Sequence, residues 1–376
     1  MPKKSVQLSG IAVAETGLCS IDAERGILMY RGYDIADLAE HATYEEVAYL
    51  LLEGELPTTD ELDAFREELA QRELPAAVAA IVAGYAREAS PMETLRTAVS
   101  ALSFDDPDEA AIDRDSERRK AALLIAQLPT IVARYERRRS GLDGVPPDPS
   151  LSYAENFLTM LRGETPTEQE VRAFDVAMIL HAEHELNAST FTARVVAGTL
   201  ADMHSAVTAA ICALKGPIHG GANELAMEFF EEIGSPDRAA EAVRERFEQK
   251  RKVYGFGHPV YLTTDPRATI LKRLSEEFSH NGGEPNWYAI TEATERAVAE
   301  QKGLSTNVDL YSGSLYRYLG IPNDLFTPLF AASRVAGWCA HVLEQHANNR
   351  IIRPAADYVG APPRSFPGTD GARVSP

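Results

Sequence analysis

The chain has 376 residues, 45% hydrophobic and 25% charged, ordinary for a soluble globular protein with room for two domains and a large core. Its 56 acidic against 37 basic side chains give a net charge of -19, which argues against nucleic-acid or anionic-membrane partners. The three cysteines, Cys19, Cys212 and Cys339, are odd in number and far apart, which fits a reducing compartment and not a disulfide framework. No apolar run follows Met1-Pro2-Lys3-Lys4-Ser5, so no signal peptide is expected, and the longest apolar stretch, near 76–86, is too short to span a bilayer. A cytoplasmic location is the expectation.

Residues 11–33 alternate apolar and polar positions around Gly17, Gly26 and Gly32 and read as short strands and turns, the only strong β signal. From Tyr33 the pattern turns helical. Thr43, followed by Tyr-Glu-Glu, looks like an N-cap opening a helix through Val47 that Gly54 and Pro57 stop. Helices restart at Thr59-Asp60-Glu61-Leu62 and at Ser90-Pro91-Met92-Glu93, where proline takes the first helical position. Residues 104–116 read as an acidic surface loop before one long helix from Glu117 to Arg139. The closing Arg137-Arg138-Arg139 reads as cations favoured at a helix C-terminus. Pro146-Pro147-Asp148-Pro149 breaks the chain. Tyr153–Arg162 and Glu168–Leu186 read as helices. Ser189–Leu214 reads as one long helix of small residues, suited to close packing in the core or at a subunit interface. Ser235-Pro236-Asp237 opens a helix to about Lys252, and 265–280, 286–303 and 324–347 are further helices. The sum is an all-α fold with a short N-terminal β segment.

Chemistry concentrates in three segments. In Gly255-Phe256-Gly257-His258-Pro259, glycines flank Phe256 and a proline follows the histidine. His258 should therefore sit on a rigid bend facing a cleft, and Arg267 follows soon after Asp265-Pro266. A fixed histidine beside an arginine suits a substrate with a polarisable carbonyl and a carboxylate. In Gly216-Pro217-Ile218-His219-Gly220-Gly221, the histidine precedes the helix-like run Asn223–Glu231. The positive end of a helix dipole disfavours imidazolium, so His219 is expected to be neutral and to donate to a carbonyl. In Asn307-Val308-Asp309, the aspartate lies in a polar, turn-rich segment between helices. It suits removal of a weakly acidic proton, provided the enolate oxygen is stabilised at the same moment. Taken singly, each has a plain structural reading: a glycine-rich turn, a capping histidine, a turn-forming aspartate. The spacing in His181-Ala182-Glu183-His184 fits neither zinc-helix motif, and Gly255-x-Gly257 lacks the third glycine of a dinucleotide loop.

Together and in this order, the three segments resemble the citrate synthase family, including its close relative 2-methylcitrate synthase. The resemblance runs from about Val13 to Gly360. It implies an enzyme that condenses oxaloacetate with a short-chain acyl-CoA by enolisation, aldol-type attack and thioester hydrolysis, with no metal and no cofactor beyond the coenzyme A thioester itself. Asp309 would abstract the α-proton. His219 would hydrogen-bond the thioester carbonyl, and His258 would polarise the oxaloacetate ketone and protonate the new alkoxide. His184, Arg267 and Arg353 would bind oxaloacetate, and an arginine from the partner subunit's tail, Arg364 or Arg373, would complete the site. Lys250, Arg251 and Lys252, with the backbone of Gly255, Phe256 and Gly257, would hold coenzyme A, although Leu262 stands where some members carry a basic residue. Residues 1–221 with 326–376 would form a large helical domain, and 222–325 a small one carrying His258 and Asp309. The chain would be a homodimer or a dimer of dimers.

The acyl donor is the finer question. Pro259, Gly216-Pro217 and Ala355 look more like 2-methylcitrate synthase, and the acidic composition more like archaeal or bacterial citrate synthases. One methylene is worth only about 1–3 kcal/mol in an apolar pocket, so overlapping use is expected. The reading leans to propionyl-CoA with acetyl-CoA also used. The alternatives are a citrate synthase specific for acetyl-CoA and, in another class, a non-catalytic all-α binding protein indifferent to the loss of Asp309. ATP-dependent citrate cleavage would need a P-loop, and the sequence carries none.

Overall fold

The computed structural model describes residue 8 and residues 10–70, 73–280 and 286–364. A small antiparallel sheet comes first: β1 (Cys19–Asp22), β2 (Ile27–Tyr30) and β3 (Tyr33–Asp34), with Cys19 opposite Tyr30 and Met29 opposite Asp34. The rest of the regular structure is helical, as expected. The first helices are α1 (Ile35–His41), α2 (Tyr44–Glu53), α3 (Thr59–Leu69), α4 (Ala76–Tyr85), α5 (Pro91–Leu102), α6 (Arg114–Arg139), α7 (Tyr153–Arg162) and α8 (Glu168–His181). They are followed by α9 (Ala188–Ala197), α10 (Met203–Leu214), α11 (Ala222–Ile233), α12 (Ala239–Glu248), α13 (Pro266–Ser279), α14 (Trp287–Lys302), α15 (Val308–Tyr318) and α16 (Phe326–Ala347).

Local chemistry sets the boundaries. Thr43, Thr58, Ser90 and Thr167 each form a capping box with a glutamate three residues on. Left-handed Gly54, Gly163, Gly234 and Gly303 close α2, α7, α11 and α14. The core is built around α16, whose side chains are buried without a break from Phe326 to Leu343. A helix apolar around its whole circumference belongs inside a molecule, and α16 packs against α2, α6, α8, α9 and α10. A second group packs mainly on itself, with α11, α13 and α14 against α15, and α12 against α14.

Several boundaries differ from expectation. Ser189–Leu214 is two helices. Gly198 ends α9, Leu200 turns through a φ of 65°, and Asp202 caps α10 by accepting from the Ser205 N–H. The start signal was hidden because it lies within a run of small residues. The helix α8 stops at His181 and not at Leu186, which releases Glu183 and His184 into a turn. Asp113 caps α6, so that helix begins at Arg114, inside the expected loop. Asp309 lies in the first turn of α15 and not in a loop, because Asn307 caps that helix. Lys250 has a φ of 56°, so the Lys250–Lys252 run lies beyond the end of α12. Among the described residues, no helix is long and apolar enough to cross a membrane.

Candidate active site

A cleft of about 790 Å³ separates the α9 and α16 side from the α13–α15 side, and His184, His219, His258, Arg267, Asp309 and Arg334 all line it. The glycine loop before His258 is joined to the start of α15. The Gly257 N–H donates to Ser305 O (2.8 Å) and the Asn307 N–H to Gly255 O (3.0 Å). The Asn307 Nδ2 donates to Gly257 O (2.8 Å). Gly255 has a φ of 89°, and a Cβ there would stand 2.8 Å from Leu310 Cδ1. Only glycine fits both the angle and the contact. This pairing sets His258 and Asp309 on one wall.

Backbone donors fix both histidines in the neutral form. The Val260 and Tyr261 N–H groups donate to His258 Nδ1 (3.0 and 3.2 Å), while Pro259 between His258 and Val260 has no N–H to offer. A ring nitrogen that accepts carries no proton, so His258 presents an Nε2–H. Burial, and then the Arg267 guanidinium, pull its pKa down to about 4. His219 has the opposite tautomer. The Ser189 N–H donates to its Nε2 (3.2 Å), and Ser189 Oγ lies 2.8 Å from the same atom. Its proton is therefore on Nδ1. Burial, and then Arg334, lower its pKa to about 4. The neutral His219 expected from the sequence is present, but α11 begins only at Ala222, so burial and not a helix dipole is the larger cause.

Asp309 lies on the cleft wall, its N–H donating to Asn307 Oδ1 (3.0 Å). Burial pushes its carboxyl up to about 7, against the pull of Arg267. A carboxyl near 7 is half ionised at neutral pH and matches the task of a general base.

Two arginines bring positive charge. Arg267 is buried and forks onto Asp265 through Nε (3.0 Å) and Nη2 (2.7 Å), and Asp265 also caps α13. Arg334, in the middle of α16, donates from Nε to His181 O (2.6 Å), while its buried Nη1 has no hydrogen-bond partner among the described residues. Burial lowers its pKa to about 10. A buried cation with an unmet donor is a place where an anionic ligand completes the balance. Sequence reading missed Arg334. The available signal was a lone arginine within an otherwise apolar helix. His184 lies in the turn after α8, with Nε2 3.1 Å from Tyr261 Oη and its ring centroid 5.1 Å from that of His258.

Other expected residues lie elsewhere. Arg353 and Arg364 are exposed and outside the cleft of their own chain. Arg373 lies outside the described residues. Lys250 and Arg251 are exposed and outside the cleft, whereas Lys252 lines it, as do Gly255, Phe256 and Gly257. Leu262 is exposed, and its N–H donates to Ala23 O (3.0 Å), so the tip of the β1–β2 hairpin touches the His258 loop.

The cleft thus holds two neutral N–H donors, one near-neutral base and three cations, Arg267, Arg334 and Lys252. That set suits proton abstraction next to a carbonyl and addition of the resulting carbanion to an anionic ketone. The comparisons with known proteins agree. The family model described as "Citrate synthase, C-terminal domain" matches residues 7–355. The citrate synthase of Haloferax volcanii is 48% identical over 369 residues, covering 96% of this chain and 97% of its own. The 2-methylcitrate synthase of Shewanella oneidensis is 45% identical over 361 residues, covering 95% of each. The citrate synthase of Thermoplasma acidophilum, solved as a ternary complex with carboxymethyl coenzyme A and oxaloacetate, superposes with a TM-score of 0.92 at 36% identity, over 97% of this chain and 99% of that one. The chain belongs to the citrate synthase family.

Proposed function

We propose that the protein condenses oxaloacetate with a short-chain acyl-CoA and releases free coenzyme A. Asp309 removes the α-proton of the acyl group while the His219 Nδ1–H donates to the thioester carbonyl, so charge on the enolate oxygen is met as it forms. The enol carbon attacks the oxaloacetate ketone, whose oxygen accepts from the His258 Nε2–H, takes that proton as the carbon–oxygen π bond breaks, and remains on the product as a hydroxyl. Arg267, Arg334 and His184 hold the oxaloacetate carboxylates. Water then cleaves the thioester in the same cleft. The observation that carries this reading is the pair of opposite tautomers: each histidine has one nitrogen occupied by a backbone N–H, so the other bears the proton that it can donate.

Both acetyl-CoA and propionyl-CoA are substrates in this reading, with the lean to propionyl-CoA. Pro259 lines the cleft and Ala355 does not, so Pro259 is the residue that supports the lean. Lys252 and the 255–257 backbone meet coenzyme A. The two helical groups act as a large and a small domain, divided near 221 and 326, that close on the substrates and exclude water. A homodimer is favoured by the exposed, irregular segment after α16, where Ile351, Tyr358 and Val359 stand uncovered. Arg353 lies on that segment and joins Arg364 and Arg373 as a candidate for the arginine that reaches a partner's cleft.

The test is Asp309→Ala. Thiol release is expected to vanish while calorimetry still records oxaloacetate binding. Turnover kept within about tenfold of the parent would remove Asp309 as the base.

A further inference from the structure

We propose that Thr327 is a positioning residue for the His219 loop and that Glu224 anchors it. This rests on the reading of His219 as donor to the thioester carbonyl. Thr327, second residue of α16, is 1% exposed. Its hydroxyl faces two acceptors: Gly220 O at 3.3 Å, on the residue after His219, and the Glu224 carboxylate, with which it makes a short bond. The Thr327 N–H donates to the same Glu224 Oε1 (3.2 Å). One hydroxyl has one proton, so it is shared between them.

The loop needs this support. Residues 215–221 contain Gly216, Pro217, Gly220 and Gly221, and a Cβ on Gly220 would stand 2.6 Å from Leu214 Cγ. A side chain at 220 cannot be used to hold the loop, so its backbone must be held instead. The His219 and Gly221 N–H groups donate to Gly216 O (2.9 and 3.3 Å), which closes the loop on itself without tying it to the core. Thr327 makes that tie. It belongs to a stripe of α16 that recurs at helical spacing. Phe330 lies against the His219 ring, with centroids 6.1 Å apart, and Arg334 lines the cleft. Trp338 Nε1–H donates to Ser189 Oγ (3.2 Å), next to His219 Nε2. The stripe therefore braces His219 by backbone, ring and tautomer-setting partner. Burial pushes the Glu224 carboxyl up to about 7, against the pull of the two hydrogen bonds it accepts from Thr327.

The test compares Thr327→Val, which keeps the shape and removes the hydroxyl, with Thr327→Ser, which keeps the hydroxyl. A catalytic group misplaced by about 1 Å costs on the order of 100-fold, so kcat of Thr327→Val should fall about 10–100-fold. The oxaloacetate Kd should move by less than about twofold, because Arg267, Arg334 and His258 are untouched, and Thr327→Ser should regain kcat to within about threefold of the parent. The proposal is overturned if Thr327→Val keeps kcat within about twofold, if serine fails to rescue, or if oxaloacetate affinity falls in step with kcat. Should Thr327→Val not fold, Glu224→Gln is measured in the same way. A lowered kcat at unchanged oxaloacetate Kd supports the anchor, and an unchanged kcat overturns it. His219→Gln is the control. Full turnover in that variant would overturn the premise about His219 itself, a failure distinct from that of the Thr327 contact.

Discussion

Asp309 must be close to ionisation at neutral pH and yet sit in a site stripped of water, and the two demands pull against each other. Burial raises its pKa to about 7, so the fraction able to act as a base grows as pH rises through that value. The kcat/KM for acyl-CoA is therefore expected to climb across about pH 6–8, since that parameter reports the free enzyme's groups. The same shift affects stability. The folded carboxyl holds its proton at pH values where the unfolded one, near 3.9, has lost it. Asp309 thus costs nothing below about pH 4, destabilises increasingly from there to about 7, and stays at its full cost above. Asp309→Asn should raise Tm over the parent at pH 8, and that difference should vanish near pH 4. An equal Tm difference at both pH values would contradict the assigned burial cost. Arg334 makes the complementary case. Its charge is buried, and among the described residues no carboxylate is hydrogen-bonded to it. Arg334→Met should leave Tm unchanged or higher. It should weaken oxaloacetate binding by more than about 30-fold, the factor for losing roughly 2 kcal/mol of charge-assisted hydrogen bonding. Thermal shift with and without oxaloacetate reads both. Of these residues, His219, His258 and Asp309 were legible because glycine, proline and asparagine mark special backbone on either side. Arg334 was missed, since its one signal, a lone arginine in a helix of mostly apolar residues, does not by itself tell a buried ligand-facing arginine from one at a helix surface.

At the element scale, α16 does most of the organising, and its pattern explains why. Its stripe of Thr327, Phe330, Arg334 and Trp338 reaches the site, while Gly337 lets the helix approach the turn that bears His184. A Cβ at 337 would lie 2.3 Å from Ala182 O, which is backbone and cannot swing aside. Gly337→Ala should destabilise by about 1–3 kcal/mol, the usual cost of overpacking. It should also raise KM for oxaloacetate, because His184 moves with Ala182. Denaturant unfolding and steady-state kinetics check the two effects, and a stable variant with parental KM would contradict the contact. The helical class and most helix starts were readable from caps and periodicity. The break between α9 and α10 was not, because alanine, glycine and serine fit helix and turn alike. The early end of α8 was hidden for a related reason: Ala182, Glu183, Glu185 and Leu186 are good helix formers, and the tertiary contact of Tyr30 with Ile179 O and Glu183 O accompanies the turn.

Across the whole molecule, an acidic chain gathers cations at one place. The net charge of -19 contrasts with a cleft lined by Arg267, Arg334 and Lys252, which draws in anionic substrates that the surface at large repels. The β1–β2 hairpin, through Ala23 O, touches the loop that follows His258, by accepting from the Leu262 N–H. The arrangement suits a molecule that closes over small acids and shields an enolate from water. Steady-state release of coenzyme A thiol from oxaloacetate with acetyl-CoA and, separately, with propionyl-CoA tests the condensation itself. Thiol release that depends on oxaloacetate is expected with both, with the larger kcat/KM for propionyl-CoA. A clear preference for acetyl-CoA would contradict the lean drawn from Pro259, and no thiol release with either would contradict the account as a whole.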